Sequence, residues 1–417
     1  MKLNNKKHFI RAVFAVVLAV MFFSQSALLA DSRFGAPHLG LPVGPLDARS
    51  RGMGGVSSAL GGECFSFTNP ARTINFWRSG FIGSMAQNYT TLDDGTGSYD
   101  TRSTNFLGLR AIFPSYYGFV VGFGVRQWRD MSYEYTDTVD VTFLDEPVAR
   151  NLESVGGLYL SRLSVARNLG DHLALGLGID WMFGEAERTR TMDFSPAGSF
   201  VNSRDAFNDK YSFVRPTLGV FATLGRTNLG FSWSAAADGD QDRDLIYREN
   251  NQFSGILVEQ SRILEFPSSW RLGVSQRIGS ALMVASDLEF EGWADSNVQL
   301  DDLVTSGDQW TWCLGIELLP HRSKENPWYR SYPVRAGYSR TTYGYELDGS
   351  RVGEQVFSLG AGSYFGRNNG LINVALEYVD RKVDNPVYPT EDVFRVVVSL
   401  SLFEKWTKIP RRSQRGE

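Results

Sequence analysis

The 417-residue chain contains only 2 cysteines and 4 histidines. This scarcity excludes a scaffold held by several disulfides and argues against a Cys/His metal centre. We interpret Cys64 and Cys313 as two small buried or lumenal residues, with a bridge between them as the minority alternative. A mean hydropathy of −0.22 also excludes a bundle of membrane helices, because each would need about 20 apolar residues.

Glycine and aromatic residues, in contrast, are abundant. The chain has 42 glycines, about a tenth of its length, and 13% of its residues are aromatic. Such a composition is typical of many short strands joined by tight turns. It therefore favours β-structure.

The first 30 residues have the pattern of a secretory signal peptide. Four basic residues precede a charge-free run over 12–30 that ends in small residues, with cleavage expected after Ala27 or Ala30. The alternative is an uncleaved anchor helix, which no basic stop-transfer segment supports. This leader carries four of the 42 basic residues and none of the 46 acidic ones, so its removal changes the net charge from −4 to −8. A net negative chain argues against a nucleic-acid partner.

Beyond residue 76, apolar residues recur at every second position, which indicates strands with two unlike faces. The outer positions of 173–183 are Leu173, Leu175, Leu177, Ile179, Trp181 and Phe183, and the inner positions are Ala174, Gly176, Gly178, Asp180 and Met182. The same pattern occurs near 310–318, 372–378 and 394–402. Many of these segments have about the 9–11 residues that cross a bilayer, and several apolar faces end in aromatic residues, as an interfacial girdle requires.

Fourteen such segments can be counted, and long polar connections alternate with short turns between them. The segments lie near 77–89, 102–112, 117–128, 153–168, 172–183, 209–224, 229–236, 260–277, 281–291, 308–318, 333–340, 354–365, 370–380 and 392–403. An even strand count with long connections on one side is typical of outer-membrane barrels. We therefore predict an all-β fold, a transmembrane antiparallel barrel of about 14 strands over 77–403, followed by a basic tail over 404–417.

A barrel of this size needs something in its lumen. About eight strands leave a lumen filled by side chains and 16–18 leave an open channel, so fourteen would leak if nothing blocked it. Residues 31–76 lack strand alternation but carry apolar residues such as Phe65 and Phe67. We predict that this segment is an N-terminal hatch in the lumen; the alternative is a disordered tail.

The same segment carries a family resemblance. Residues 48–56 (ARSRGMGGV), followed by Asn-Pro-Ala at 69–71, resemble the hatch signature of the FadL/TodX family of outer-membrane transporters. Residues 266–274 and 333–338 continue the match, and 399–402 end it. The resemblance assigns the hatch motif to Gly52, Gly54, Gly55, Asn69, Pro70 and Ala71. It implies a fourteen-stranded barrel, plugged by the hatch, that moves hydrophobic molecules; Arg72 departs from the usual small or apolar residue. A PorV-like branch, which serves protein secretion, is an alternative.

Charged residues at inner positions are candidates for ligand binding. Since a charge on the lipid face costs about 2–4 kcal/mol at the midplane, we expect Arg110, Arg126 and Arg335 to face the lumen. One hypothesis is that they bind the carboxylate of an amphipathic substrate whose tail lies against Phe65 and Phe67. The alternative, which we favour, is a structural network of paired charges that holds the hatch.

Two prolines fall inside predicted strands. Pro216 and Pro267 each remove a ladder hydrogen bond and predict a bulge or kink. Such a gap could release a ligand laterally, or the prolines could simply start the membrane part of overlong strands.

The spacing of acidic residues from Asp238 to Glu249 approaches that of a calcium loop, but Arg243 stands where the turn needs glycine. We therefore predict a solvated acidic outer loop there.

No enzyme signature is present, and we expect neither a metal nor a cofactor. The sequence predicts a monomer in the outer membrane of a diderm bacterium, in contact with outer-membrane lipid, a hydrophobic small-molecule ligand and the barrel-assembly machinery. The predicted function is passive uptake of a hydrophobic compound of the fatty acid or hydrocarbon type. The alternative is a secretion or assembly partner, or a purely structural barrel. An apolar pocket between hatch and wall would favour transport, and a lumen packed with paired charges would favour the alternative.

Overall fold

The computed structural model describes residues 32–36, 38–93, 97–115, 117–140, 147–194, 202–249, 252–298, 304–320, 331–385 and 388–404. The predicted signal peptide and all of the predicted tail except Glu404 lie outside these residues. Helical structure in the described residues is limited to α1 (Ala48–Arg51) and four 3-10 turns at Arg33–Gly35, Pro70–Asn75, Trp293–Asp295 and Gly366–Asn368. No helix in this part of the chain has the length and apolar character needed to span a bilayer.

Strands make up most of the described chain. They are β1 (Leu41–Pro42), β2 (Ser79–Asp93), β3 (Ser98–Pro114), β4 (Phe119–Asp130), β5 (Tyr133–Val139), β6 (Val148–Leu169), β7 (Leu173–Asp193), β8 (Ser203–Leu224), β9 (Thr227–Ser234), β10 (Ala237–Glu249), β11 (Gln252–Phe266), β12 (Ser269–Ile278), β13 (Leu282–Glu291), β14 (Val304–Ser306), β15 (Gln309–Leu318), β16 (Val334–Leu347), β17 (Ser350–Phe365), β18 (Gly370–Val383) and β19 (Thr390–Glu404). All belong to one antiparallel sheet.

Fourteen of these strands close into a ring. The ring runs through β2, β3, β4, β6, β7, β8, β9, β12, β13, β15, β16, β17, β18 and β19. It closes where β19 pairs with β2 from Thr390 opposite Asp93 to Glu404 opposite Ser79. Closure leaves the ring without a free edge, because each of the fourteen strands pairs with a neighbour on both sides. The predicted fold, an all-β barrel of 14 strands, is confirmed.

The two ends of the barrel differ. At the short-turn end, where β2 begins and β19 ends, several connections are tight turns. At the long-loop end, β5, β10, β11 and β14 extend the hairpins of the wall. The prediction of a solvated acidic outer loop from Asp238 to Glu249 is therefore wrong for the backbone, because these residues belong to strand β10 and pair with β8 and β11. This extended backbone lacks the sharp turn that a calcium loop requires.

Side chains alternate across the wall as the sequence predicted. Leu177, Ile179 and Trp181 are more than half exposed on the outside, whereas Ala174 and Asp180 on the other face of the same strand are buried in the lumen. Near the long-loop end of the outer face, aromatic rings from three strands form a cluster, in which Trp270, Phe290 and Trp310 have centroids 4.7–5.7 Å apart. An apolar exterior edged by aromatic rings suits contact with lipid.

Both prolines lie at an interruption of the ladder. Pairing of β8 changes from β10 to β9 between Ser212 and Thr217, and Pro267 lies between β11 and β12. On the lumen side, the rings of Phe213 and Phe266 stack 3.8 Å apart and are both buried. The interruption is therefore covered from within, and a lateral exit at this place stays a prediction.

Candidate functional site in the barrel lumen

The described residues between 32 and 76, here called the inner segment, run through the lumen from end to end. At the long-loop end, Ser32 donates from Oγ to Glu391 of β19 at 2.6 Å. At the short-turn end, Phe65 packs against Phe76 and against Phe403, near the end of β19. Most of its residues are buried, including the apolar Leu39, Leu46, Met53 and Leu60.

Glycines in the wall allow the inner segment to approach the strands backbone to backbone. A Cβ at Gly337 of β16 would lie 2.0 Å from the nitrogen of Gly54, and one at Gly176 of β7 would lie 2.2 Å from the nitrogen of Ala71. Any other residue would overlap the inner segment at these positions. A Cβ would also lie within 3.0 Å of the inner segment at Gly124, Gly219, Gly230, Gly273, Gly315 and Gly360, the last of which meets Gly52.

The glycine-rich motif of the inner segment lies against the strands late in the chain. Gly54 has a φ of +67°, in the left-handed region, and its N–H donates to Ser358 Oγ at 2.9 Å. Three and four residues further on, the N–H groups of Ser57 and Ser58 both donate to Asp287 Oδ2 at 2.8 Å. Gly55, with a φ of +89°, lies beside Cys313. The motif is therefore a set of backbone donors docked onto β13 and β17.

The Asn-Pro-Ala motif begins the 3-10 turn at Pro70–Asn75. Asn69 is its N-cap, because its side chain accepts from the N–H of Ala71 at 3.0 Å, while its Nδ2 donates to the carbonyl of Val220 in β8 at 2.8 Å. Pro70 occupies the first turn, where its missing N–H costs nothing. These residues dock the turn on β6, β7 and β8.

Arg72 organises the loop that precedes this turn. The guanidinium is fully buried and donates to the carbonyls of Leu60, Gly62 and Cys64 at 2.8–3.1 Å. Burial lowers the pKa of Arg72 and raises that of the Cys64 thiol, because each charged form loses its hydration. Both cysteines of the chain are free and buried. The departure from the family pattern thus has a structural role in this loop.

Two arginines of the inner segment form ion pairs with the wall. Arg49 donates to both oxygens of Glu317, at 2.6 Å and 3.1 Å, and Glu317 also accepts from Arg335 at 2.8 Å. Arg51 contacts Glu377 at 3.1 Å, and Glu377 also pairs with Arg395. Each carboxylate is therefore shared between two guanidiniums, so the inner segment and the wall are joined by buried charge.

Further buried ion pairs line the lumen in addition to those of Glu317 and Glu377. They are Arg129–Glu291, Arg162–Asp180, Arg271–Asp287, Arg271–Glu289, Arg381–Glu354 and Arg381–Glu391. Removing one partner of a buried pair typically costs about 3–5 kcal/mol, because the other is left charged without compensation. The lumen is thus held by an extended network.

The predicted binding residues are divided between two environments. Arg335 belongs to the Glu317 network, and Phe65 lies in the apolar core at the short-turn end. Phe67, Arg110 and Arg126 lie together instead: the guanidinium carbons are 4.7 Å and 6.0 Å from the Phe67 ring centroid. Arg110 Nη1 and Arg126 Nε are buried without an acceptor among the described residues.

A cavity of about 170 Å³ remains between the inner segment and the wall. Its walls are mainly polar, and they combine arginines and glutamates with hydroxyl groups. The charged residues that line it are Arg51, Arg126, Arg162, Arg215, Arg271, Glu289, Glu291, Glu354, Glu377, Arg381 and Arg395. Its few apolar walls include Phe67, Trp128 and Leu160. This cavity is suited to water and ions rather than to an alkyl chain.

The sequence interpretation missed several residues of this site. Arg49 and Arg51 were part of the quoted motif but not recognised as ion-pair partners, and Glu317 was read only as part of a polar face. His38 and Trp293 were also missed; their rings meet edge to face at 4.8 Å. A usable signal was present for the arginines: two charges within a stretch of small residues predict buried partners.

Taken together, the closed fourteen-stranded wall, its apolar exterior and the segment within its lumen define a β-barrel of the outer-membrane type. A family model described as BamG matches residues 6–411, nearly the whole sequence. The chain therefore belongs to the BamG family. No curated protein matches the sequence at a significant level.

Solved structures share this fold. The toluene transporter TodX of Pseudomonas putida has 14% identity and a TM-score of 0.59, over 88% of this chain and 99% of its own. A FadL homologue of Pseudomonas aeruginosa has 13% identity and a TM-score of 0.58, over 88% and 100%. The toluene transporter TbuX of Ralstonia pickettii has 15% identity and a TM-score of 0.56, over 87% and 98%. The predicted FadL/TodX-like resemblance is confirmed for the fold.

Proposed function

We propose that this protein is an outer-membrane barrel with a permanently filled lumen that acts as a partner in the assembly of other outer-membrane proteins. The observation that carries the proposal is the charge network between the inner segment and the wall. The name of the family associates the chain with the barrel-assembly machinery. In this function the inner segment stiffens the barrel, and the outer face of the barrel contacts the partner proteins.

The lumen cavity supports this choice over transport. Sites for drug-sized ligands usually have about 300–1,000 Å³ and mostly apolar walls. The cavity here has about 170 Å³, and arginines and glutamates line it. A hydrophobic molecule could pass only if buried pairs such as Arg49–Glu317 and Arg51–Glu377 separated. Each separation would expose two charges to an apolar ligand, which is unfavourable.

A second candidate function is passive uptake of a hydrophobic compound past a hatch formed by the inner segment. One observation favours it specifically. Arg110 is 2% exposed, its closest polar side-chain partner is Ser164 Oγ at 3.5 Å, and it lies over the Phe67 ring. A carboxylate reaching Arg110 and Arg126 would satisfy their buried N–H groups. The solved relatives named above include two toluene transporters.

A reversible disulfide between the inner segment and the wall, here called the lock, can distinguish the two functions, because transport requires the inner segment to move and the assembly function does not. A Cβ at Gly55 would lie 3.4 Å from Cys313 Sγ, so Gly55→Cys can form a disulfide with the native Cys313. Cys64→Ser removes the remaining thiol. The left-handed backbone at residue 55 costs about 1–2 kcal/mol for a non-glycine residue, but this cost is the same in the oxidised and the reduced protein.

The experiment uses a strain in which the chromosomal gene is depleted and the locked variant is supplied. Folded outer-membrane proteins are quantified by heat-modifiable migration, and uptake of labelled toluene and labelled fatty acid is measured in the same cells. We expect depletion to lower the amount of folded barrels, and the oxidised lock to restore it as well as the reduced form does. If barrels stay normal on depletion while uptake is lost, and uptake returns only on reduction of the lock, the transport function is correct instead.

A further inference from the structure

A second cavity, here called the vestibule, lies at the long-loop end of the barrel and apart from the lumen cavity. It has a volume of about 400 Å³. Its walls come from the beginning of the inner segment and from β5, β6, β7, β8, β10 and β11. Arginines and aromatic rings dominate these walls, and no carboxylate lines it in the described part of the chain.

Two of the arginines share a single carboxylate, and a third beside them has no carboxylate partner among the described residues. Arg188 and Arg243 both donate to Asp209, which is fully buried behind them, with Arg243 Nε 2.6 Å from Oδ1. Arg262 donates instead to the neutral Gln241, and its Nη2 has no acceptor among the described residues. One negative charge therefore faces three guanidiniums at this wall, which leaves a local excess of positive charge.

Aromatic rings stand beside these charges. The guanidinium carbon of Arg243 is 5.7 Å from the ring centroid of Phe207, and that of Arg33 is 4.6 Å from the ring centroid of Tyr135. The vestibule thus combines an apolar wall with donors that suit an anion. Arginine forks bind carboxylate and phosphate groups through paired hydrogen bonds, and a cavity walled by one sign of charge attracts the opposite sign.

We propose that the vestibule binds an organic anion, with its phosphate or carboxylate group held by Arg188, Arg243 and Arg262 and its ring or chain lying against Phe207 and Tyr135. The proposal does not depend on the function of the lumen, because no residue of the Glu317 or Glu377 networks takes part.

The test is isothermal titration calorimetry of the purified full-length barrel in detergent. The probe is 1-naphthyl phosphate, with 1-naphthol as the neutral analogue and inorganic phosphate as the anion without a ring. We expect naphthyl phosphate to bind and both analogues to bind at least about tenfold more weakly, since each lacks one of the two interactions. Arg262→Gln should weaken naphthyl phosphate binding about tenfold, because a hydrogen bond to a charged group is lost while the contact with Gln241 can be kept.

Arg351→Gln is the matched control, because it removes the same charge from an exposed arginine near the long-loop end that pairs only loosely with Glu346. Phe207→Leu is a second variant that touches no ion pair; it should weaken naphthyl phosphate but not inorganic phosphate. Equal binding of naphthol and naphthyl phosphate, equal losses in the Arg262 and Arg351 variants, or no binding of the probe would overturn the proposal. Competition by lipid A in nanodiscs would identify a lipid headgroup as the source of the anion, and lack of competition a free compound.

Discussion

Glu317→Gln is the sharpest test of how the inner segment is held. Glu317 is almost fully buried and accepts from Arg49 of the inner segment and from Arg335 of the wall, at 2.6 Å and 2.8 Å. Glutamine has nearly the same shape and keeps one acceptor oxygen. The substitution therefore removes one negative charge and leaves two buried guanidiniums facing each other.

The size of the effect follows from this geometry. Removing one partner of a buried ion pair costs about 3–5 kcal/mol. Because about 1.4 kcal/mol is a factor of ten in an equilibrium constant, the release of the inner segment should become roughly 100- to 4,000-fold more favourable. Glu346→Gln is the control, since its pair with Arg351 is exposed at 3.4 Å and pairs of that kind are worth about 0–1 kcal/mol.

Hydrogen–deuterium exchange measures this release directly. Amides such as those of Gly54, Ser57 and Ser58 are protected by bonds to the wall, so they exchange only when the inner segment opens. We expect their protection to fall by about 2 to 3.5 powers of ten in Glu317→Gln while the paired strands β6 and β7 stay protected. Unchanged protection in the inner segment, or an equal loss in Glu346→Gln, would refute the view that buried charge holds it.

Three further predictions concern single residues of the same interface. Gly337→Ala should lower the free energy of unfolding by about 1–3 kcal/mol, measured by urea unfolding from lipid vesicles, because its Cβ would overlap the backbone of the inner segment. Gly353→Ala is the control and should have little effect, because its Cβ would contact only one atom, at 3.8 Å. Burial, aided by a nearby arginine, lowers the pKa of His38 to about 3, so the unfolded segment binds a proton that the folded one excludes. Docking near residue 38 should be strongest above about pH 6.5 and weaken as the pH falls towards 3, and His38→Phe should remove this part of the pH dependence of exchange; the same slope in both proteins would contradict it. Arg72→Gln should free the loop around Cys64 and speed its reaction with a maleimide, and an unreactive thiol would show that other contacts hold the loop.

The membrane part of the barrel could be predicted from the sequence because the two faces of each strand meet different environments, lipid on the outside and the filled lumen on the inside. In 173–183, lipid selects apolar residues outward and the filled lumen selects small or polar residues inward, so the period of two is visible. Beyond the bilayer this constraint ends. The strand β7 continues to Asp193 and β10 replaces a predicted loop, because ladder hydrogen bonds do not require an apolar face.

The site was less accessible to sequence reasoning. The motifs located the inner segment, but Arg49 and Glu317 are 268 positions apart, and no local pattern connects them. The glycines of the wall were visible at inner positions. The reason for them is that the inner segment leaves no room for a Cβ, which at Gly337 would lie 2.0 Å from the Gly54 nitrogen. This depends on where the inner segment docks, and only the folded barrel determines that.

The threaded path of the inner segment also constrains the order in which the molecule can be built. Its docking partners lie on strands synthesised late: Asp287 is 230 positions after Ser57, and Glu377 is 326 positions after Arg51. The part of the chain that is synthesised first therefore keeps these charges unmatched until most of the wall has been made. Once β19 has paired with β2, insertion of the inner segment along the lumen would carry its charged residues past the buried pairs of the wall. We therefore expect the wall to assemble around the segment, which then acts as a template for the barrel.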